Sequence, residues 1–372
     1  MKIVHLITTL DVGGAEKHLL WLGAAQVQRG HALRVIYLKG KGSLSAEFAA
    51  AGMAVEQLAF ERGSQLLSVL RGLRRRLHEL APDVLHSHLL KADALAALAV
   101  PAGVALVSSK HNDERALLAT SVGLVHGLLS RRADRIIALS DHVARFVSRH
   151  GRVPVARIRR VYYGVDAEAL APRRPRADVR AELSLSDETP LLVCVGRIAP
   201  QKDHPTLLSA MQLLPPEVVL LVVGGDPFGD GLQRLEADVQ ARGLQARVRL
   251  LGIRHDVPDL LGASDLFVLP SLWEGLGLVF LEAMAARLPV VATNVSAIPE
   301  VVQDGVSGWL VPPGDPDALA DAIRDGLSHP DDRLARGVAG SMRLAERFAL
   351  PRMLDETLDV YAEAVAQRAR RS

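Results

Sequence analysis

Short apolar runs alternate with helix-length amphipathic segments along most of the chain. In the first half, runs rich in β-branched residues cover 2–8, 33–38, 84–88, 105–109, 135–139 and 158–163. In the second half, they cover 191–196, 218–224, 248–252, 265–270, 289–293 and 309–311. This alternation predicts strands joined by crossover helices, and therefore parallel sheets covered by helices.

A proline- and arginine-rich stretch at 166–178 separates the two halves and has no strand pattern, so it is interpreted as a linker. The chain has 372 residues, more than one hydrophobic core usually supports. We therefore predict an α/β fold with two Rossmann-like, doubly wound parallel-sheet domains, at 1–171 and 172–350. Residues 351–372 are predicted to form a helix that crosses back to the N-terminal domain. Its predicted apolar stripe is Leu354, Leu358, Tyr361 and Val365.

Composition is that of an ordinary soluble globular protein, with 49% hydrophobic and 23% charged residues. The first ten residues have no cleavage site and fit a strand, and the longest apolar run, 94–107, is too short to span a bilayer. We expect a cytoplasmic protein, either free or peripheral on the inner face of the membrane. Cys194 is the only cysteine, which excludes an intrachain disulfide, and it is assigned to the core.

The net charge of +2 hides an asymmetry along the chain. Lys and Arg outnumber Asp and Glu up to residue 170, and the reverse holds beyond it. An excess of positive charge favours an anionic partner for the N-terminal half, such as a phospholipid surface. The candidates are Arg71, Arg74, Arg75 and Arg76 on one predicted helix, although a solvated arginine-rich face explains them equally well.

A glycine-rich turn that leads into a helix follows the predicted strand 265–270. Gly277 and Leu278 lie at the start of this helix, where free backbone amides suit a diphosphate. Glu274 in the turn is placed to accept hydrogen bonds from sugar hydroxyls, and Glu282 in the helix is placed to bind a ribose diol. Alone, two glutamates at this spacing are a weak signal, and a solvated Glu282 explains them as well.

This segment resembles the acidic motif of glycosyltransferase family 4, a retaining family of GT-B fold in which seven residues separate two glutamates. The resemblance covers nearly the whole chain and implies two domains facing a central cleft. It also implies metal-independent transfer from a nucleotide-sugar donor, with no other cofactor. Front-face transfer with retention of configuration follows from the resemblance alone.

Arg197 and Lys202 follow the first strand of the second half and match the Gly-Arg…Lys pattern of the family. Two cations there can stabilise the charge of a departing nucleoside diphosphate. Ordinary surface cations are the competing interpretation. For Ile253, after Gly252, the resemblance implies backbone contact with the nucleobase.

In the N-terminal half, Gly13 and Gly14 open a helix after the first strand, and with Glu16 they resemble the Gly-Gly-x-Glu loop of the family. The resemblance implies that they approach the donor phosphate or the acceptor, whereas a simple glycine helix entry is the alternative. His111 ends another strand, where the family often has a histidine that contacts the transferred sugar or stabilises the reacting centre. A structural histidine remains open as the other interpretation.

His86 and His88 match a further family segment. Alternate residues on a strand point the same way, but a metal site is disfavoured because no third ligand is evident. Tyr163 departs from the family, which commonly has Asn before the Gly164-Val165-Asp166 sequence.

Three other enzyme classes have sequence signatures to compare. A metal-dependent GT-A transferase needs Asp-x-Asp after a core strand, and the one such string, Asp315-Pro316-Asp317, is better explained as a helix cap. A nicotinamide-dependent oxidoreductase needs Gly-x-Gly-x-x-Gly, which neither Gly13-Gly14 nor Gly224-Gly225 provides. A hydrolysing nucleotide-sugar epimerase shares the architecture and stays open.

A non-catalytic sugar-nucleotide binding subunit also stays open, although the retained donor residues disfavour it. The leading prediction is a hexosyltransferase that uses a UDP- or GDP-sugar. Its expected acceptor is lipid-linked or saccharide, in cell-surface polysaccharide or glycolipid synthesis, and no nucleic-acid partner is expected.

Overall fold

The computed structural model describes residues 1–60, 65–226 and 229–370. The chain divides into two compact units. The first unit comprises Met1–Gly164 and Leu350–Ser372, and the second comprises Val165–Ala349.

The first unit contains a seven-stranded parallel sheet in the order β3-β2-β1-β4-β5-β6-β7. Its strands are β1 Lys2–Thr9, β2 Ala32–Lys39, β3 Ala54–Gln57, β4 Val84–His88, β5 Ala105–Lys110, β6 Arg135–Ala138 and β7 Ile158–Arg160. Its first helices are α1 Gly14–Gln28, α2 Ser45–Ala50, α3 Leu66–Leu80, α4 Leu90–Ala99, α5 Thr120–Ser130 and α6 Asp141–Arg149.

The second unit contains a six-stranded parallel sheet in the order β10-β9-β8-β11-β12-β13. Its strands are β8 Leu191–Val195, β9 Val219–Val223, β10 Val248–Gly252, β11 Leu266–Leu269, β12 Val290–Thr293 and β13 Gly308–Val311. Its helices are α7 Arg176–Glu182, α8 His204–Leu213, α9 Gly231–Ala241, α10 Val257–Ala263, α11 Leu278–Ala285, α12 Ile298–Val301, α13 Pro316–Ser328 and α14 Pro330–Arg347.

Two parallel α/β sheets are therefore present, as the alternation of apolar runs predicts. The central strands β8, β9, β11 and β12 are buried along their whole length, since helices cover both faces of a parallel sheet. Cys194 lies buried in β8, within this core. The sequence pattern missed β3, a four-residue edge strand that is only partly buried and so has no apolar run.

The units divide between Gly164 and Val165, earlier in the chain than the predicted boundary at 171/172. Val165 forms a β-bridge with Ala349, and its amide donates to the Phe348 carbonyl at 2.9 Å. Residues 165–171 thus belong to the second unit. The predicted linker has structure of its own, because Asp259 accepts hydrogen bonds from the amides of Arg173 and Arg174.

The last helix, α15 Leu350–Ala369, belongs to the first unit. Glu363 on this helix pairs with Arg135 and Arg159. The predicted stripe is only partly right, because Val365 is exposed. The buried face instead comprises Met353, Leu354, Thr357, Val360, Tyr361 and Ala364. Among the described residues, no helix is both long and apolar enough to cross a bilayer.

Candidate active site

Each sheet has a switch point, where the chain leaves two adjacent strands in opposite directions. In the first unit it lies between β1 and β4, and in the second between β8 and β11. Ligands of open α/β sheets bind beyond the carboxyl ends of the strands at such points. The predicted site residues follow these strands or their neighbours, except for Ile253, which follows the edge strand β10.

At the switch point of the second unit, Lys202 follows β8 and Glu274 follows β11. The Nζ of Lys202 donates to Oε1 of Glu274, and both side chains are buried. Ser271 Oγ donates to the same oxygen at 2.8 Å. Two predicted catalytic residues, 72 positions apart, are therefore in direct contact.

Two further hydrogen bonds, each to a backbone carbonyl, join the two loops that carry this ion pair. The Leu272 amide donates to the Gln201 carbonyl at 2.8 Å, and Gln201 Nε2 donates to the Trp273 carbonyl at 2.7 Å. These bonds hold the loop after β8 against the loop after β11. Gln201 and Ser271 were not predicted from the sequence, because they flank the motif residues and become recognisable only once the loops are in contact.

Helix α11 begins directly after Gly277, which has a φ of +85° in the left-handed region. A Cβ at this position would lie 2.6 Å from the Phe280 ring, so both conformation and space require glycine. No side chain caps the first turn of this helix. The first amides of a helix lack partners within it and attract anions, so this helix start is compatible with the diphosphate site predicted near Leu278. Glu282 lies in the same helix and is buried.

Close backbone packing surrounds the end of β8. A Cβ on Gly224 would lie 1.8 Å from the Gly196 carbonyl oxygen, and a Cβ on Gly196 would lie 3.0 Å from Lys202 Cε. Arg197, next to Gly196, is exposed and is not part of the buried ion pair. Ile253 is also exposed, and its side chain lies over Gly225.

His204 is a further buried residue that no sequence motif indicated. Burial lowers the pKa of its imidazole to about 4. Its Nε2 has no hydrogen-bond partner among the described residues. It opens α8, immediately after the loop that carries Lys202.

In the first unit, Gly13 precedes α1, which begins at Gly14. A Cβ on Gly13 would lie 2.4 Å from Glu16 Oε2, and Thr9 Oγ1 donates to Glu16 Oε1 at 2.6 Å. The Glu16 carboxylate therefore holds the loop to the end of β1 and fills the space beside Gly13, so a side chain at Gly13 would require Glu16 to move.

His111 belongs to a buried chain of hydrogen bonds that the sequence pattern did not predict. The seven links between its eight side chains are 2.6 to 3.2 Å long. In order, the chain runs through Tyr163, His111, His88, His5, Gln26, Tyr361, His86 and Ser109.

Gln26 sets the direction of the first half of this chain, because its Oε1 faces His5 Nε2. A carbonyl oxygen only accepts, so His5 carries its proton on Nε2 and accepts at Nδ1 from His88 Nε2. His88 then accepts at Nδ1 from His111 Nε2, and His111 accepts at Nδ1 from the Tyr163 hydroxyl. Both ring nitrogens of His111 are occupied in this arrangement.

The Gln26 side chain also sets the direction of the hydrogen bonds in the second half of the chain, because its Nε2 donates to the Tyr361 hydroxyl. The hydroxyl donates in turn to His86 Nδ1, and His86 Nε2 donates to Ser109 Oγ. One proton per link satisfies every member, with His5, His86, His88 and His111 all neutral Nε2–H tautomers.

Burial keeps these imidazoles neutral. It lowers the pKa of His5 and of His111 to about 4. The pKa values of His86 and His88 lie well below the usual 6.5, because burial and the neighbouring histidines both disfavour a charge.

The expectation that His86 and His88 have no third ligand nearby was wrong. His5 on β1 brings a ring nitrogen within 4.8 Å of theirs, a group that could hold a metal ion. Nothing in the sequence indicated this contact, because His5 lies on a different strand from His86 and His88 and the pairing of the two strands was not known. The hydrogen-bonded chain nevertheless accounts for the ring nitrogens of all three residues without an ion.

Tyr163, where the sequence departs from the family pattern, also has a structural role. Its hydroxyl donates to His111, and the centroid of its ring lies 4.4 Å from the centroid of the His18 ring. The Asp-x-Asp string is confirmed as a cap, because Asp315 Oδ1 accepts from the Ala318 amide at the start of α13.

Two units that each contain a parallel sheet are the architecture of the GT-B fold, and comparison with known proteins identifies the family. The Glycosyltransferase Family 4 model matches residues 12–169, and the Glycosyl transferases group 1 model matches residues 175–340. The chain belongs to the family 4 glycosyltransferases of GT-B fold.

Curated relatives include transferases with different substrates. The chain is 34% identical over 248 residues to the alpha-maltose-1-phosphate synthase of Mycolicibacterium smegmatis, a match that covers 63% of this chain and 64% of that protein. It is 28% identical over 319 residues to the UDP-Gal:alpha-D-GlcNAc-diphosphoundecaprenol alpha-1,3-galactosyltransferase of Escherichia coli, with coverage of 82% and 80%. The chain thus spans less than two thirds of the first relative's length.

Among solved structures, Anabaena Alr3699/HepE in complex with UDP-glucose matches with a TM-score of 0.89. The two are 25% identical, and the match covers 97% of this chain and 99% of the other.

Proposed function

We propose that this protein transfers a sugar from a nucleotide-diphosphate sugar to an acceptor hydroxyl, with retention of anomeric configuration. The observation that carries the proposal is the buried pair of Lys202 and Glu274 beside the free amides of α11. A ligand with a diphosphate and sugar hydroxyls matches this combination of groups.

The proposed donor site divides among four groups. The amides at Gly277 and Leu278 bind the diphosphate, and Glu282 binds the ribose diol. Glu274 offers Oε2 to the sugar hydroxyls, because both of its hydrogen bonds from Lys202 and Ser271 fall on Oε1.

Arg197 and Lys202 stabilise the leaving diphosphate in this proposal. Arg197 is exposed and can reach a ligand as a full charge, whereas the charge of Lys202 is held in place by Glu274. Charge-assisted donors that are already in position favour the transition state without a metal ion. The backbone at Ile253 is assigned to the nucleobase.

We propose UDP as the first nucleoside diphosphate to test as the donor carrier. The HepE structure is a complex with UDP-glucose, and the Escherichia coli relative is named as a UDP-Gal transferase. That relative acts on a diphosphoundecaprenol-linked sugar, which favours a lipid-linked or saccharide acceptor for this chain, in cell-surface polysaccharide or glycolipid synthesis.

In the first unit, Gly13 and Gly14 are assigned to the approach of donor phosphate or acceptor. His111 is assigned to the transferred sugar through its ring edge or its backbone, because its nitrogens already bond to His88 and Tyr163. This refines the sequence-based hypothesis, which left the contacting atoms open.

Thermal-shift measurements with UDP, GDP, ADP and their sugars test the donor site, since a bound ligand stabilises the folded state by mass action. We expect one nucleoside diphosphate to raise the Tm of the wild type and to have a much smaller effect on Glu282→Gln. If no nucleotide shifts the Tm, the proposed function fails.

Product analysis then separates the transferase from the alternatives. A hydrolysing epimerase releases UDP and free sugar without an acceptor, and a non-catalytic subunit binds the nucleotide without turnover. NMR of the product from an α-linked donor tests retention, which a β-linkage would refute. Full activity in EDTA is expected for metal-independent transfer.

A further inference from the structure

A second buried polar cluster lies on the face of β5 away from the histidine chain. Ser108 and Lys110 alternate along this strand with Ser109, so they point to the opposite face of the sheet from Ser109, which belongs to that chain. Lys110 Nζ donates to Oδ2 of Asp93 on α4, and Ser87 Oγ donates to Oδ1 of the same carboxylate at 2.6 Å. All of these side chains are buried.

His126 on α5 completes this group, which we call the lysine cluster: Ser87, Asp93, Lys110 and His126. The Nδ1 of His126 lies 2.8 Å from the Gly151 carbonyl, which only accepts, so the ring carries its proton there. Its Nε2 therefore accepts from Lys110 Nζ at 3.0 Å. Burial and the neighbouring Lys110 lower the pKa of His126, so the ring is neutral. These bonds use two of the three N–H groups of Lys110, so one remains for a further acceptor.

The lysine cluster forms part of the wall of a cavity between α4, α5 and the sheet. The cavity has a volume of about 240 Å³, and most of its other lining is aliphatic, with Ala94, Leu106 and Leu129 among the walls. An apolar cavity of about 150 Å³ binds benzene, so this one has room for a benzene-sized ring with a short substituent. Water does not fill such a space favourably, because aliphatic walls offer it no hydrogen-bond partners.

Ser108 lines the same cavity and has a buried hydroxyl without a partner. The residue is 5% exposed, and its Oγ makes no hydrogen bond with any of the described residues. By contrast, the hydroxyls of Ser87 and Ser109 on either side of it in the sheet are both bonded. An unpaired buried hydroxyl destabilises the folded state, which an aliphatic side chain at this position would avoid. Ser108 therefore points to a ligand that occupies the cavity.

The charges around the cavity favour a neutral ligand. The ammonium of Lys110 and the carboxylate of Asp93 compensate each other, so an ion added beside them would be buried without a counter-charge. Lys91 also lines the cavity but is exposed, so its charge is already hydrated. A hydroxyl fits the groups that remain, because it can accept from Ser108 or Lys110 and donate to the Asp93 carboxylate.

We propose that this cavity is a binding site for a small neutral molecule with one hydroxyl group on an apolar body. The hydroxyl lies between Ser108 and the pair of Lys110 and Asp93, and the apolar body lies against the aliphatic walls. The site is formed by the first unit alone. It therefore does not depend on the donor site of the second unit or on the proposed sugar transfer.

Calorimetric titration of the full chain with three probes of similar shape tests the site. The hydroxyl is present in para-ethylphenol, absent from ethylbenzene and replaced by a carboxylate in para-ethylbenzoate. We expect para-ethylphenol to bind, ethylbenzene to bind about tenfold more weakly, and para-ethylbenzoate not to bind. The proposal is overturned if para-ethylphenol does not bind, which is the result for a cavity that holds only water. It is also overturned if either of the other probes binds as tightly as para-ethylphenol.

The variant Ser108→Ala isolates the unpaired hydroxyl. It should weaken para-ethylphenol binding about fivefold and leave ethylbenzene binding unchanged, because only the phenol loses a partner. Without a ligand it should be at least as stable to urea as the wild type, since no hydrogen bond within the described residues is lost. Ser109→Ala is the matched control on the opposite face of β5, where the hydroxyl is bonded to His86. It should bind para-ethylphenol as the wild type does, and equal losses in the two variants would contradict the proposal.

The variant Ala94→Leu tests the position of the apolar body. Ala94 is half-buried and lines the cavity, so a leucine there takes up space that the ligand needs. We expect both para-ethylphenol and ethylbenzene to lose at least about tenfold in affinity, while the Tm without ligand stays the same or rises because a cavity is filled. Undiminished affinity for both probes would locate them elsewhere and refute the site. Should the Tm fall, the comparison of Ser108→Ala with Ser109→Ala decides the matter.

Discussion

Lys202 and Glu274 form a buried ion pair at the switch point of the second unit, each contributed by a loop at the carboxyl end of a different strand. Neither charge is satisfied by its own loop alone, although Ser271 also donates to the carboxylate. Two ions removed from water are stable only when paired and hydrogen-bonded. The pair therefore fixes both loops against each other and aligns the predicted donor site.

Breaking this pair should cost stability and activity, and the two effects should be separable. Lys202→Met leaves Glu274 buried and unpaired, for which we expect a loss of about 3 to 5 kcal/mol in the free energy of unfolding. The double variant Lys202→Met/Glu274→Leu should recover much of that loss, because the apolar pair has no charge to desolvate. Its transferase activity should remain at least about 100-fold below wild type.

Urea unfolding and kcat/KM, measured on both single variants and the double variant, form the test. A double variant that is as active as the wild type would show that the pair serves packing alone. Lys91→Met, at an exposed lysine of the first unit, controls for loss of a positive charge.

The strands could be predicted from the sequence more completely than the site. The pattern predicted the observed ends of β4 and β10, although β4 contains His86, Ser87 and His88 and β10 is only partly buried. Glu274 and Lys202 were recognisable through motifs that lie within single loops. Their contact was not, since it depends on β8 and β11 being neighbours in the sheet.

The histidine chain shows the same limit. Its links could be drawn only after the structure placed β1, β4, β5, α1 and α15 side by side. His5 and Tyr361, the two neighbours of Gln26 in this chain, lie far apart in sequence and carry no motif.

Gly277 should be intolerant of a side chain for two reasons, its φ of +85° and the Phe280 ring, which lies 2.6 Å from where a Cβ would be. Gly314 has a φ of +69° with open space around it, so Gly314→Ala isolates the cost of backbone strain alone. We expect Gly314→Ala to lose about 1 kcal/mol of stability and Gly277→Ala to lose more.

The distinguishing readout is nucleotide binding. Calorimetric titration with UDP should show a weaker Kd for Gly277→Ala, because displacement of the Phe280 ring tilts the first turn of α11. Gly314→Ala should bind UDP as the wild type does, and similar affinity in both variants would contradict an anion site at α11.

The proton order of the histidine chain predicts a spectroscopic signature. Long-range ¹⁵N–¹H correlation spectra should show His5, His86, His88 and His111 as neutral Nε2–H tautomers. Tyr361→Phe removes the hydroxyl that joins Gln26 to His86, so the His86 signals should change most. Tyr163→Phe should change those of His111, and an Nδ1–H tautomer in the wild-type His5 would refute the assigned direction.

Stability should decrease as the pH is lowered, because these histidines are neutral when folded. The pKa values of His5 and His111 are lowered to about 4 in the folded state, against 6.5 when unfolded. Between these values the unfolded chain binds more protons, so the contribution is complete above pH 6.5 and is lost as pH falls towards 4. Each of these two residues should contribute about 3 kcal/mol at neutral pH.

The slope of unfolding free energy against pH measures this linkage. Urea unfolding can be followed through Trp21, the one tryptophan of the first unit, in a Trp273→Phe/Trp309→Phe background. Near pH 5, His111→Asn should reduce the slope by about 1.4 kcal/mol per pH unit, since one fewer proton is taken up on unfolding. A free energy that stays flat from pH 7 to pH 5 would mean that the buried imidazoles do not remain neutral, and the proton order derived from Gln26 would fall with them.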